Sequence, residues 1–276
     1  MKERSLKDLF HLVKQVLPET QELITFSPEK TVAEALEVMR KKNVSQVPVI
    51  EGEEVLGVFS YRSLAQGIHK LRANHTDVLS LHVEEFIEDL KFAQITDELK
   101  ALLDEFDLKD AVLVGTEIRL QGIVTVVDAL HYFYRVAAPY FLIREIELAI
   151  RELIRASVDE EGLRDCIEKT LKDFYQEKKL SVPTCLEEMT VSDYVNILRF
   201  KGTWERFAPT FGENPNIIHT KLKPLPDIRN DIFHFRREIT VEEYDSLRDV
   251  RDWLLKRVVK LEAKKRINYN EQIPQY

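Results

Sequence analysis

A short run near the middle of the chain carries residue types suited to holding a ligand. Residues 122–128 have the sequence GIVTVVD, at a predicted strand-to-helix junction. A glycine such as Gly122 lets the backbone approach a ligand closely. The Thr125 hydroxyl and the free N–H groups of the helix start can hold a phosphate. Asp128, one turn further on, presents two acceptors that suit both hydroxyls of a ribose.

A second run has side chains suited to reaction at a phosphate. Arg229, Asn230 and His234 follow one another on a predicted helix. The Arg229 guanidinium fork can grip a phosphate and stabilise charge in a transition state. An imidazole exchanges protons near neutral pH, so His234 can act as general acid or base when a ribose 2′-hydroxyl attacks. Such a reaction requires RNA, and an unpaired strand adopts the attack geometry.

The helical spacing within this second run favours a site shared by two chains. Asn230 and His234 are four positions apart and share a helix face, so the amide is expected to orient the imidazole. Arg229 and His234 are five apart, about 140° around the axis, and align less well. A two-fold dimer that combines both motifs relieves this geometry. The pairs Arg4/His11 and Arg62/His69 have the same loose spacing, so the motif depends on its asparagine and its helical context.

An internal repeat in the first half positions the first run. Its two copies, about 20–72 and 84–138, are offset by 64–65 residues. Each has a helix, two strands (VSQVPVI and VLGVFS, then DAVLV and LQGIVT) and a closing helix. Thr31 and Glu34 form a capping box in copy one. Each copy is too small to bury its own core, so the two are expected to pack together. Leu6, Leu9 and Phe10 begin an N-terminal amphipathic helix over one edge.

This pair of copies resembles the CBS-domain pair, a regulatory module that binds adenosyl ligands. Its signature of Gly, two apolar residues, Ser or Thr, two residues and Asp is matched by 122–128. The resemblance implies an adenine nucleotide (AMP, ADP or ATP) as ligand and adds Ile24, Ser45 and Gln46 to its site. The alternative, that Thr125 and Asp128 only cap a helix, stays open.

The equivalent run in copy one is altered. Residues 57–63, GVFSYRS, place Ser60 at the strand end and Ser63 where the ribose-binding aspartate would stand. Asp110 and the FIED stretch of residues 86–89 add negative charge where phosphate would lie. We therefore expect one competent site and one empty or altered site.

The second half has helical periodicity throughout, which gives the fold class α+β: tandem repeats followed by an all-α bundle. Helices are predicted at 140–156, 159–179, 187–201, 203–211, 216–235 and 241–265, the last beginning with a Thr240/Glu243 capping box. This half, with Arg229, Asn230 and His234 ahead of one last long helix, resembles the HEPN domain, whose active members are metal-independent ribonucleases. The predicted domains are 1–138 and 139–266, followed by a tail at 267–276.

Composition limits the partners. The net charge is −8, of which −7 falls in 1–138 and −1 in 139–276, so the second half better tolerates RNA. The two cysteines fit no metal or redox spacing, and neither a membrane-length apolar run nor a signal peptide is evident. These features favour a cytoplasmic protein without a metal cofactor.

Together these patterns predict a homodimeric nucleotide sensor that controls an endoribonuclease acting on single-stranded RNA. Ligand at Thr125 and Asp128 would shift the closing helix, which leads directly into the second half. The open alternative is a non-catalytic sensor whose helical domain only dimerises or binds a protein or RNA partner.

Overall fold

The computed structural model describes residues 11–17, 23–71 and 77–271. The chain forms two compact units, residues 1–135 and 136–276. The first unit contains both repeats and all described strands, whereas the regular elements described in the second unit are helices. This agrees with the predicted α+β chain, in which a half with two repeats precedes a helical half.

The first repeat follows the predicted helix, strand, strand, helix order. Its elements are α1 (Val32–Lys42), β1 (Gln46–Glu51), β2 (Glu54–Ser60) and α2 (Tyr61–Leu71). The predicted capping box is confirmed, because the Glu34 N–H donates to the Thr31 hydroxyl and the Thr31 N–H to the Glu34 carboxylate. β1 and β2 are antiparallel, with Gln46 opposite Ser60. Apolar side chains from the strands and from α1 form the core of this repeat.

The second repeat repeats this order with one added strand. Its elements are β3 (Phe92–Ala93), α3 (Lys100–Phe106), β4 (Ala111–Thr116), β5 (Arg119–Thr125) and α4 (Val126–Ser157), which continues past the unit boundary. β4 pairs antiparallel with β5 and parallel with β3. The two-residue β3 was not predicted, since it is too short for any periodic signal.

The two repeats share apolar packing, as expected from their small size. Val55 and Val58 of β2 are buried in one cluster with Ala111 and Leu113 of β4 and Ile123 of β5. A separate second-repeat core includes Val13 and Val16 from the N-terminal segment, which forms a 3₁₀ turn. The predicted helix positions Leu6, Leu9 and Phe10 lie outside the described residues.

The helical unit has one continuous core. Its further elements are α5 (Glu160–Thr170), α6 (Lys172–Glu177), α7 (Val191–Arg199), α8 (Trp204–Phe211), α9 (Pro215–Leu222), α10 (Leu225–Phe233) and α11 (Val241–Glu271). Ile143, Ile146 and Ile150 of α4 are buried with Tyr194 of α7 and Leu254 of α11. The Thr240/Glu243 capping box is confirmed by both of its hydrogen bonds.

Several predicted helix boundaries are wrong: the helix over 159–179 divides into α5 and α6, and the helix over 187–201 begins only at Val191. The helix over 216–235 is two helices, because Pro224 lacks the N–H that would continue the helical hydrogen bonds after Lys223. Conversely, Pro139 lies inside α4 and does not end it, since buried residues such as Ala138 and Ile143 anchor the helix on either side. α11 extends to Glu271, five residues into the predicted tail, because no glycine or proline interrupts residues 266–271.

Candidate functional site

Thr125 and Asp128 form a reciprocal capping box where β5 meets α4. The Thr125 N–H and hydroxyl donate to Asp128 Oδ2 over 2.9 and 2.6 Å, and the Asp128 N–H donates to Thr125 Oγ1 over 3.3 Å. Both side chains are half-buried. One carboxylate oxygen is thus held by the chain itself, which fixes the direction of the other at the start of a helix whose N–H groups favour anions.

The remaining residues assigned to this site lie on both repeats. Gly122 is buried in β5 opposite Val114. Ile24 packs against the first-repeat core, and the exposed Ser45 donates to Gln46 Oε1 over 2.7 Å where β1 begins. Among the described residues, no hydrogen bond joins these first-repeat residues to the Thr125–Asp128 pair. Their assembly into one site stays a prediction.

The equivalent position in the first repeat has the same box with a hydroxyl in place of the carboxylate. The Ser60 N–H donates to Ser63 Oγ over 2.8 Å, and the Ser63 N–H donates to Ser60 Oγ over 2.9 Å. The Ser63 hydroxyl donates to the Ser60 carbonyl over 3.0 Å. The two serines are 2% and 4% exposed. The predicted alteration of this site therefore involves buried, internally bonded hydroxyls.

This first-repeat box contacts the second repeat through Glu88. The Ser60 hydroxyl donates to Glu88 Oε1 over 2.8 Å, and Lys109, just before β4, donates to Glu88 Oε2 over 2.7 Å. The Glu88 backbone exchanges two 2.9 Å bonds with Val58 of β2. A strand end of one repeat thus meets the entry segment and the pre-strand turn of the other. If the strand end of the second repeat contacts the first repeat in the same way, Thr125 should face the first-repeat segments that carry Ile24 and Ser45.

The second candidate set lies at the end of α10 in the helical unit. Arg229 and Asn230 are half-buried on the helix, whereas His234 is its exposed C-cap. The Arg229 guanidinium carbon lies 4.7 Å from the Phe233 ring centroid. Its Nη1 donates to Asn230 Oδ1 over 3.3 Å.

The expected orientation of His234 by the Asn230 amide is corrected by this geometry. His234 has φ −99° and ψ 7°, so the helical side-chain spacing stops before it. The bond between the two residues is from the His234 backbone N–H to the Asn230 carbonyl, over 3.0 Å. The Asn230 side-chain oxygen instead accepts from Arg229.

The turn that follows His234 is fixed by a charged network. Arg237 donates to both Glu243 oxygens over 2.6 and 2.7 Å and lies 2.8 Å from Asp231 Oδ2. These carboxylates raise the pKa of Arg237, and Arg237 is the main cause that lowers the pKa of Glu243. Arg237 therefore connects the turn between α10 and α11 to Asp231 of α10 and to Glu243 of α11.

The described ranges contain neither a metal-binding cluster nor a helix of membrane-spanning type. No group of three or more His, Cys, Asp or Glu side chains there is placed to hold a metal ion. No helix in the same ranges combines the length and apolar composition of a membrane span.

Comparison with known proteins assigns part of the first unit. Residues 13–70 match the CBS-domain family. Solved structures similar to the chain also carry CBS domains. A CBS-domain containing protein from Agrobacterium tumefaciens is 21% identical over 44% of this chain and 92% of its own, with a TM-score of 0.40.

Two further solved CBS structures are titled as complexes. CBSX2 in complex with AMP is 19% identical over 46% of this chain and 98% of its own, with a TM-score of 0.40. A CBS-domain pair in complex with methylthioadenosine and S-adenosyl-L-methionine is 21% identical over 45% of this chain and 96% of its own, with a TM-score of 0.37.

Proposed function

We propose that residues 1–138 form a CBS pair that binds one adenine nucleotide and regulates the helical domain, residues 139–266. The proposed nucleotide site consists of Ile24, Ser45, Gln46, Gly122, Thr125 and Asp128. The observation that carries this proposal is the Thr125–Asp128 pair at the strand-to-helix junction. The convergence of Ser60, Glu88 and Lys109 at the equivalent position supports it, because it brings segments of both repeats to one strand end.

Within this site each group has a distinct task. Asp128 Oδ2 is taken by Thr125, which leaves Oδ1 to accept from ribose hydroxyls. The start of α4 would lie on the phosphate side, where the N–H groups of Val126 and Asp128 already donate to the Asp110 carbonyl and to Thr125 Oγ1. Ser45 and Gln46 contribute hydroxyl and amide donors where β1 begins, and Ile24 packs against the base.

Nucleotide binding is tested by thermal unfolding with AMP, ADP or ATP. A ligand at about one hundred times its Kd stabilises the fold by about 2.7 kcal/mol. We expect this stabilisation in the wild type and its loss in Asp128→Ala. Glu34→Ala is the matched control, because it also removes a capping-box carboxylate and should respond to nucleotide normally. Equal responses of the two variants would show that Asp128 is only a helix cap.

A second proposed function belongs to the helical domain: metal-independent cleavage of single-stranded RNA by a homodimer. The observation that favours it is the presence of Arg229 in the last two turns of α10 and of the exposed His234 at its C-cap. Arg229 would bind the scissile phosphate, and His234 would transfer the proton of the attacking 2′-hydroxyl. Asn230, through its 3.3 Å bond, would position the Arg229 guanidinium rather than the imidazole.

Cleavage is tested with end-labelled single-stranded RNA in EDTA. We expect Arg229→Ala and His234→Ala to lose activity, and Arg164→Ala, an exposed arginine on α5, to retain it. Activity that survives in both active-site variants points to a contaminant. RNA that is bound but not cut supports the non-catalytic alternative instead.

Regulation is the part of the proposal that joins the two activities. Asp128 lies in the first turn of α4, and the same helix supplies Ile143, Ile146 and Ile150 to the helical core. We expect AMP to change the cleavage rate of the wild type and not that of Asp128→Ala. Bound AMP that leaves the wild-type rate unchanged would refute this coupling.

A further inference from the structure

The first-repeat counterpart of the nucleotide site is already filled by the chain's own groups. We call Ser60, Ser63, Glu88 and Lys109 the closed site. The Ser60 hydroxyl, the Lys109 ammonium and both oxygens of Glu88 are engaged with one another. The backbone N–H groups of Ser60 and Ser63 donate to the two serine hydroxyls, just as those of Thr125 and Asp128 donate within the nucleotide site. What sets the closed site apart is that the Ser60 hydroxyl and the Lys109 ammonium are both bonded to Glu88.

We propose that Glu88 is an internal plug that excludes anionic nucleotides from the closed site and limits the chain to one nucleotide. This inference rests on the proposed function of the Thr125–Asp128 site. Glu88 is 11% exposed, so its charge would face an incoming phosphate at low local dielectric. Lys109, a cation that could attract a phosphate, is already paired with Glu88, and Arg62 lies 3.8 Å from Asp110 Oδ2.

The ribose side of the closed site is also changed. Ser63 stands where the nucleotide site has Asp128, and its hydroxyl donates to the Ser60 carbonyl. A serine there supplies no carboxylate to take two ribose hydroxyls.

The charges of Glu88 and Lys109 are specific to the closed site and are not repeated at the corresponding positions of the nucleotide site. Val44 occupies the position 65 residues before Lys109. Gln21 stands 67 residues before Glu88, which is the spacing between Phe26 and Ala93, two residues that pair with equivalent strand positions in the two repeats. Val44 packs against the first-repeat core. Gln21 lies outside the described residues. Both counterparts are neutral, so the nucleotide site has no matching carboxylate–ammonium pair at these positions.

The test is a calorimetric titration of the full chain with AMP. We expect about one equivalent per chain for the wild type and about two for the double variant Ser63→Asp/Glu88→Ala, which removes the plug and installs a ribose acceptor. Adding Asp128→Ala to that double variant should leave about one equivalent, now at the opened site. Asp89→Ala is the matched control: it removes the same charge from an exposed neighbour and should still bind one.

The outcomes separate the two proposals. Two equivalents in the wild type, or no additional equivalent in the double variant, would overturn the plug. A wild type that binds nothing while the double variant binds one equivalent, insensitive to Asp128→Ala, supports the plug and refutes the Thr125–Asp128 site. If the alanine variant does not fold, Ser63→Asp/Glu88→Gln keeps the side-chain shape and an acceptor for Ser60. A further equivalent there supports the plug, and its absence overturns it.

Discussion

Arg237 offers a sharp test of how the turn carrying His234 is held. Its guanidinium bonds both oxygens of Glu243 and one oxygen of Asp231, which ties the ends of α10 and α11 together. Hydrogen bonds to charged partners contribute about 1.5–3 kcal/mol each when buried. Arg237 is 43% exposed, so solvent screening reduces the sum. We expect Arg237→Ala to lower the free energy of unfolding of the helical unit at pH 7, and to lower it more than Arg236→Ala does.

The loss of unfolding free energy in Arg237→Ala should depend on pH. Arg237 depresses the pKa of Glu243 below its ordinary value of 4.5. A carboxyl with a depressed folded-state pKa contributes stability above its unfolded pKa, and this contribution is lost as the pH falls through the folded value. The difference between wild type and Arg237→Ala should therefore be full at pH 7 and shrink below about pH 4.

Tryptophan fluorescence during urea unfolding measures this difference. The chain has two tryptophans, Trp204 and Trp253, and both pack against the helical core, so the signal reports on that unit. Arg236→Ala is the control, because Arg236 lies 4.0 Å from Asp231 and is 62% exposed. It should change stability by less than about 0.5 kcal/mol. Equal effects of the two arginine variants, at either pH, would refute the argument.

Three further substitutions have expected outcomes. Phe235, 70% exposed with φ +52°, occupies a left-handed position, so Phe235→Gly should stabilise the helical unit by about 0.5–1 kcal/mol in the same fluorescence assay. Burial and the hydrogen bond to Asp193 raise the pKa of Tyr175 to about 12. The stability that the neutral phenol contributes is therefore complete below about pH 10 and lost between about pH 10 and 12. In Tyr175→Phe the free energy of unfolding should fall less over this pH range. Gly115→Ala should cost at least about 2 kcal/mol by circular dichroism, because its Cβ would lie 2.2 Å from the Arg119 carbonyl.

Local signals in the sequence predicted most of the first unit. Alternating or continuous apolar runs identified β1, β2, β4 and β5, and the Thr-x-x-Glu pattern identified the start of α1. These features depend on neighbours within a few positions, which the sequence states directly. The same holds for the second capping box, at Thr240.

The missed features depend on contacts distant in sequence. Pro139 ordinarily costs a helix about 3 kcal/mol, and only the buried positions on either side of it explain why α4 continues. Glu88 and Lys109 are 28 and 49 positions from Ser60. The FIED stretch signalled negative charge there, but no local pattern indicates that one of its carboxylates bonds a serine of the other repeat.

The GIVTVVD run also shows why a motif match alone does not separate a ligand site from a helix cap. Thr125–Asp128 and Ser60–Ser63 close the same kind of box, so capping accounts for both pairs equally well. What differs is the use of the remaining oxygens. In the first-repeat box the Ser60 hydroxyl is committed to a buried carboxylate that a lysine neutralises. In the second-repeat box the carboxylate belongs to the cap itself, and Thr125 engages one of its two oxygens. A helix cap needs only one carboxylate oxygen, so the ligand proposal depends on whether the second oxygen of Asp128 accepts hydrogen bonds from a ribose.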